Sequence, residues 1–210
     1  MAGLAARAPN SRGRQAALPP KGESECCHPR HGAVFLKCGI IKGMLTPERL
    51  IELLHLIPLP VEGGYFRQTY LADQLVSRMA LPSCYTHDKA FASAIYYLLH
   101  DDHVSAMHRL LTDEIYHFYL GDPVEMLLLY PDGSYAVHLL GSDLEAGHQV
   151  QFVVPSGVWQ GSRILAGGRY ALLGTTMAPA YDPSDFELGD RAALIGQYPG
   201  IASLITALTH

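Results

Sequence analysis

The stretches His108-Arg109-Leu110-Leu111-Thr112-Asp113-Glu114, with Gly121 after six further residues, and Pro155-Ser156-Gly157-Val158-Trp159-Gln160 decide how this chain folds. Each joins a turn to a strand-like run, and each directs polar side chains toward one interior. Around them the sequence alternates with the two-residue period of a pleated strand. Residues 65–70, 92–99, 104–110, 114–120, 124–130, 134–140, 149–154 and 169–176 read as strands, rich in β-branched and aromatic side chains. Pro131-Asp132-Gly133 supplies a hairpin turn between two of them. So many short strands, punctuated by Gly and Pro, predict an all-β sandwich or barrel.

Helical spacing is confined to the ends. Thr46 suits an N-cap, Pro47 the first helical position, and Glu48 the positive end of a helix dipole. Leu50, Ile51, Leu53, Leu54 and Ile57 then form an apolar stripe that Pro58 and Pro60 end. Residues 190–195 and 201–208 have helical spacing near the C terminus, and Asp185 and Glu187 are assigned to a surface loop that ties it down.

The first decisive stretch resembles the first cupin motif, in which a His-x-His pair is followed by Glu and, six residues on, by Gly. The second resembles the second cupin motif, Pro-x-Gly-x-x-His. Three further blocks resemble one subgroup, the cupin family DUF985, also called cupin 5. They are Val61-Glu62-Gly63-Gly64-Tyr65-Phe66-Arg67, residues 113–119, and Ala178-Pro179-Ala180-Tyr181-Asp182 continuing through residues 185–188. The resemblance covers nearly all of residues 44–210. It implies a double-stranded β-helix, a jelly-roll barrel with a small-molecule pocket between its sheets. It also implies a homodimer, as in the related sugar-nucleotide epimerases.

Two departures bear on the chemistry. Leu110 stands where metal-binding cupins carry their second His, and Gln160 stands where they carry the His of the second motif. Of a three-His, one-Glu set only His108 and Glu114 remain. Imidazole supplies most of the affinity for iron, copper or zinc, and Leu supplies none. No cofactor is expected on this ground. A divalent metal on His108, Glu114 and Gln160 is the less favoured alternative.

Strand parity sorts the candidates. If His108 points inward, so do Leu110, Ala106 and Val104; Glu114 shares a face with Tyr116 and Phe118, opposite His117 and Tyr119. A buried carboxylate beside an imidazole suits acid–base work. His108 is therefore read as a base, Glu114 as the group that orients or charge-balances it, and Tyr116 as an acid. Gln160, Phe118, Tyr65, Arg67 and Trp159 are the candidate ligand-binding residues. Arg67 is included because guanidinium groups clamp carboxylates and phosphates, while core packing is an equal reading of Trp159. His117 is read as a hydrogen-bonded histidine at a sheet or dimer surface. These residues suit metal-independent proton transfer on a bound small molecule of undetermined identity, and the resemblance implies the reaction class, an epimerase or isomerase acting on a carbohydrate-like or other oxygenated metabolite. The alternatives are a non-catalytic metabolite-binding module and a metal-dependent oxygenase or hydrolase.

Charge narrows the partners. Residues 1–43 hold seven basic and two acidic side chains, which leaves eight basic and eighteen acidic in the remainder. So acidic a globule has no footprint for nucleic acid or an anionic membrane. The longest largely apolar stretch, residues 90–99, is half of the roughly 20 residues that a membrane span needs. Residues 1–43 are read as a disordered leader or as sequence ahead of a true start at Met44, with an organelle transit peptide as the alternative. Otherwise the protein is expected in the cytoplasm. Cys26, Cys27, Cys38 and Cys84 are read as free thiols, because the first three, with His28 and His31, match no zinc spacing.

Overall fold

The computed structural model describes residues 45–100 and 103–210. The predicted leader, with Cys26, Cys27, Cys38, His28 and His31, lies outside the described residues.

Two antiparallel sheets face each other. The larger has six strands in the order β1 (Ile57–Pro58), β2 (Tyr65–Leu71), β5 (Ser93–His100), β12 (Tyr170–Met177), β7 (Glu114–Gly121) and β10 (Gln151–Val154). The smaller orders β13 (Glu187–Leu188), β6 (Val104–Arg109), β11 (Trp159–Ile164), β8 (Val124–Leu129) and β9 (Tyr135–Leu140). A short hairpin, β3 (Leu75–Val76) with β4 (Lys89–Ala90), lies outside both. This is an all-β jelly-roll arrangement, as the sequence resemblance implies.

Three apolar layers fix the packing. Val124, Met126 and Leu128 of β8 turn inward against Tyr97, Leu99, Tyr116, Phe118 and Leu173. Leu127 and Leu129 of the same strand turn outward, under the helices α2 (Arg191–Gln197) and α3 (Ala202–Ala207), against Leu194, Tyr198 and Ile205. A strand covered on both faces loses alternation, as Met126-Leu127-Leu128-Leu129 does. The helix α1 (Pro47–Leu54) sets Leu50, and the chain just after it Leu56, against Leu98 and Leu172 on the outer face of the larger sheet. Thr46 caps it, its hydroxyl accepting from the Arg49 N–H at 3.3 Å. Among the described residues no helix is long and apolar enough to cross a membrane.

Three sequence expectations change. The α1 stripe stops at Leu54, because His55 enters the left-handed region at φ 52 and the chain turns into β1, which takes Ile57. Val104 packs outward with Met107: Gln160 pairs with His108 but Ser162 pairs with Ser105, so β6 carries one extra residue and its parity flips. Asp185 is not on a surface loop; it is buried in an ion pair with Lys89.

Candidate functional site

The two decisive turns are bonded to each other. Gly157 N–H donates to the Leu110 carbonyl, and Ser156 donates from N–H to Asp113 Oδ1 and from Oγ to the Leu111 carbonyl, each at 2.8 Å. Tyr85 reaches the same turn through Thr112 Oγ1 at 2.8 Å. Locking these turns together sets the start of β7 beside the start of β11. Glu114 and Gln160 then meet across the gap between the sheets, Gln160 Nε2 donating to Glu114 Oε2 at 2.7 Å.

A cavity of about 320 Å³ opens there between the sheets. Its polar lining includes His108, Glu114, Tyr116, Thr175, Tyr97 and Glu62, and its apolar lining includes Leu59, Phe66, Ile95, Leu110, Met177 and Phe186. His108 is 1% exposed. Its Nδ1 lies 2.8 Å from the Ala106 carbonyl. A carbonyl only accepts, so Nδ1 carries a proton, and a neutral ring then has its lone pair on Nε2. Among the described residues nothing bonds to Nε2. The ring stacks on Phe186, with centroids 5.2 Å apart and planes 19° apart.

Of the two roles that the sequence offered Glu114, orienting His108 or balancing its charge, the structure corrects the first, while the two groups do interact electrostatically. The carboxylate is held by Gln160, and the imidazole by Ala106. Glu114 titrates above its ordinary value, first because burial strips its water; the nearby His108 and the bonds from Gln160 and Thr175 oppose that, and the Glu62 carboxylate adds to it. A raised carboxyl binds more protons in the folded chain than in the unfolded one. Stability therefore falls as pH rises from the ordinary carboxylate value to the raised one, and stays lowered above it. Glu114→Gln is expected to flatten that slope and to raise the melting temperature at neutral pH, by roughly 2–4 °C per kcal/mol relieved. Melting curves of both proteins from acid to neutral pH check it.

Tyr97 and Tyr116 titrate well above the ordinary phenol, chiefly through burial; Glu62 contributes most after burial for Tyr97, and Glu114 for Tyr116. Tyr181, at the mouth, is pushed up to about 12, again by burial first. These hydroxyls stay protonated and donate.

The structure brings His108, Glu114 and Tyr116 to the cavity, with Gln160 directly behind Glu114. Tyr65, Arg67, Phe118 and Trp159 are elsewhere, which corrects their assignment to ligand binding. On β2 it is Phe66 and Gln68 that face the cavity. Tyr65 therefore packs outward against His100 and His103, and Arg67 lies over the Tyr96 ring at 5.5 Å. Phe118 fills the barrel core. Trp159 packs on the outer layer with Arg109 over its ring at 4.5 Å. His117 bonds Gln151 and Thr176, each at 3.3 Å, on the outer sheet face.

Sequence reasoning missed Glu62, Tyr97, Thr175, Tyr181 and Phe186. Glu62 carried a signal: it precedes Gly63-Gly64, whose φ of 102 and 72 mark a forced turn. A Cβ on Gly63 would sit 2.3 Å from the Val104 carbonyl oxygen, so only glycine lets this turn reach β6.

The residues present do not fit a tightly held transition metal. Among the described residues, no three His, Cys, Asp or Glu side chains converge as a ligand set. The Gln160 amide nitrogen is spent on Glu114, and its oxygen is buried without a partner among the described residues.

The family description "Cupin superfamily (DUF985)" matches residues 48–189. The chain is similar to a protein of Shewanella oneidensis solved by X-ray crystallography, with 32% identity over 80% of this chain and 99% of that one, at a TM-score of 0.70. A hypothetical protein from Leishmania major is 27% identical over 79% of this chain and 99% of that one, at a TM-score of 0.71. No curated protein is significantly similar.

Proposed function

We propose that this chain, which belongs to the cupin superfamily family DUF985, binds a small oxygenated metabolite in its barrel and isomerises it by proton transfer next to a carbonyl. The observation that supports this reading most is the free Nε2 of a buried His108 aimed into the cavity, with Nδ1 fixed on Ala106. A base held in one tautomer, in an enclosed and largely apolar space, is the requirement of general-base catalysis.

The roles follow from the geometry. His108 Nε2 takes the proton from the carbon beside the carbonyl, and the electron pair moves onto the carbonyl oxygen. Tyr116, whose hydroxyl resists ionisation, serves better as a hydrogen-bond donor to that oxygen than as the acid of the sequence reading. The proton of the neighbouring hydroxyl then passes to the former carbonyl oxygen, a carbonyl re-forms at the carbon that lost its proton, and His108 returns its proton to the former carbonyl carbon. A single base on one face suits this 1,2 shift, whereas inversion at one carbon calls for a second acid on the opposite face.

Solvent exchange tests it. In D₂O, the protein should place deuterium beside the carbonyl of at least one compound in a panel of neutral and amine-bearing α-hydroxy aldehydes and ketones. Saturable binding across the panel with no exchange would leave a metabolite-binding module in its place.

A further inference from the structure

We infer that the ligand of this cavity carries a positive charge, an ammonium on an apolar or hydroxylated body, and bears no phosphate or carboxylate. This rests on the small-molecule reading above and deepens it by naming the charge. The argument begins with the ionisable groups on the wall. Glu62 and Glu114 both line the cavity, and among the described residues no lysine or arginine does. Two cations on neighbouring segments are committed elsewhere: Lys89 to Asp185, and Arg109 to Glu187 at 2.7 Å. His108 is one imidazole against two carboxylates. An anion entering here would lose its water and meet like charge with no cation to receive it.

Glu62 is positioned with some effort. Val61, just before it, holds φ 73, a region that a β-branched residue adopts only under constraint. Three bonds keep the turn in place: Ala106 N–H to the Glu62 carbonyl at 2.7 Å, His210 Nε2 to the Val61 carbonyl at 3.0 Å, and the Tyr97 hydroxyl to the Gly63 carbonyl at 3.0 Å. Ser105 Oγ donates to Glu62 Oε1 at 2.8 Å. A carboxylate meant only for solvent needs no such turn. Glu114 is 7% exposed and fixed by Gln160. Two carboxyl groups are thus in place before any ligand arrives. A second, independent sign of a ligand is the unpartnered Nε2 of His108 in the same space.

The remaining wall suits a cation as well. Phe66, Tyr97, Tyr116, Tyr181 and Phe186 line the cavity. Aromatic rings attract ammonium groups through their electron-rich faces, most strongly where water is excluded.

The test uses the full chain and matched triplets that differ only in charge. One is 2-phenylethylamine, 2-phenylethanol and phenylacetate; another is cyclohexylmethylamine, cyclohexylmethanol and cyclohexanecarboxylate. Affinities are measured at neutral pH by calorimetry and ligand-observed NMR. The amine should bind at least about tenfold more tightly than the alcohol, and the carboxylate should not bind measurably. Glu62→Gln and Glu114→Gln should each cut the amine's advantage by about tenfold and leave the alcohol unchanged. Melting curves establish that each variant is folded, and Glu62→Gln, on a half-buried side chain, carries the test alone if Glu114→Gln does not fold. A carboxylate that binds as well as its amine overturns the inference. So does an amine preference that survives both substitutions. If no member of any triplet binds, the small-molecule reading itself falls, an outcome distinct from a wrong charge order.

Discussion

Replacing His108 by Ala is expected to slow solvent exchange into a turned-over substrate by about 10²–10⁴-fold, the usual contribution of a positioned general base. Ligand binding should survive, because the apolar body of the cavity and its two carboxylates remain. Added imidazole should restore part of the rate: the substitution leaves a hole of the right shape, with the Ala106 carbonyl still present to orient a free ring. Rescue separates a lost base from a damaged fold, which imidazole would not repair. Exchange that continues unchanged in His108→Ala would mean that the proton goes elsewhere. Glu62 would then be the next candidate, since its carboxyl group lines the same cavity.

The second large effect lies behind the cavity wall. Lys89 and Asp185 form an ion pair with side chains only 2% and 3% exposed. Removing one partner leaves the other charged and buried without compensation, at a cost of about 3–5 kcal/mol. Asp185→Asn should therefore lower the melting temperature by about 10 °C. The double variant Lys89→Met with Asp185→Leu should recover most of that loss, because an apolar pair of similar volume avoids desolvating charge. A double variant no better than the single one would show that the segment is held by something else. The single variant also reaches the site. Asp185 immediately precedes Phe186, which stacks on His108, and Glu187 and Leu188 pair with Arg109 and His108. Loosening this segment should weaken ligand binding even though Asp185 does not line the cavity.

The strands and the two decisive turns were legible because period-two alternation and turn chemistry are local properties. The Thr46 cap was legible for the same reason. What escaped depends on contacts between distant segments. β2 offers an aromatic and a polar residue on each of its faces, Tyr65 with Arg67 and Phe66 with Gln68, so its sequence alone cannot fix which face looks inward. The inserted residue in β6 reverses the parity of Val104 and leaves no mark in composition. Lys89 and Asp185 are 96 residues apart, and each alone reads as an ordinary surface charge. In the site, His108, Glu114 and Gln160 were found through their motif positions. Glu62 and Tyr97 were not, because the turn that delivers Glu62 is held by Ala106 N–H and by the Tyr97 hydroxyl across the barrel.

The account depends on His108 presenting a fixed, unprotonated Nε2 to a ligand inside the barrel. Nitrogen-15 NMR of histidine-labelled protein reads this directly, with His108→Ala assigning the resonance. At a pH where the ring is neutral, the prediction is a single tautomer protonated on Nδ1, whose Nε2 signal shifts when any saturably binding ligand is added. A ring protonated on Nε2, or an Nε2 signal that stays still while a ligand saturates the protein, would contradict it.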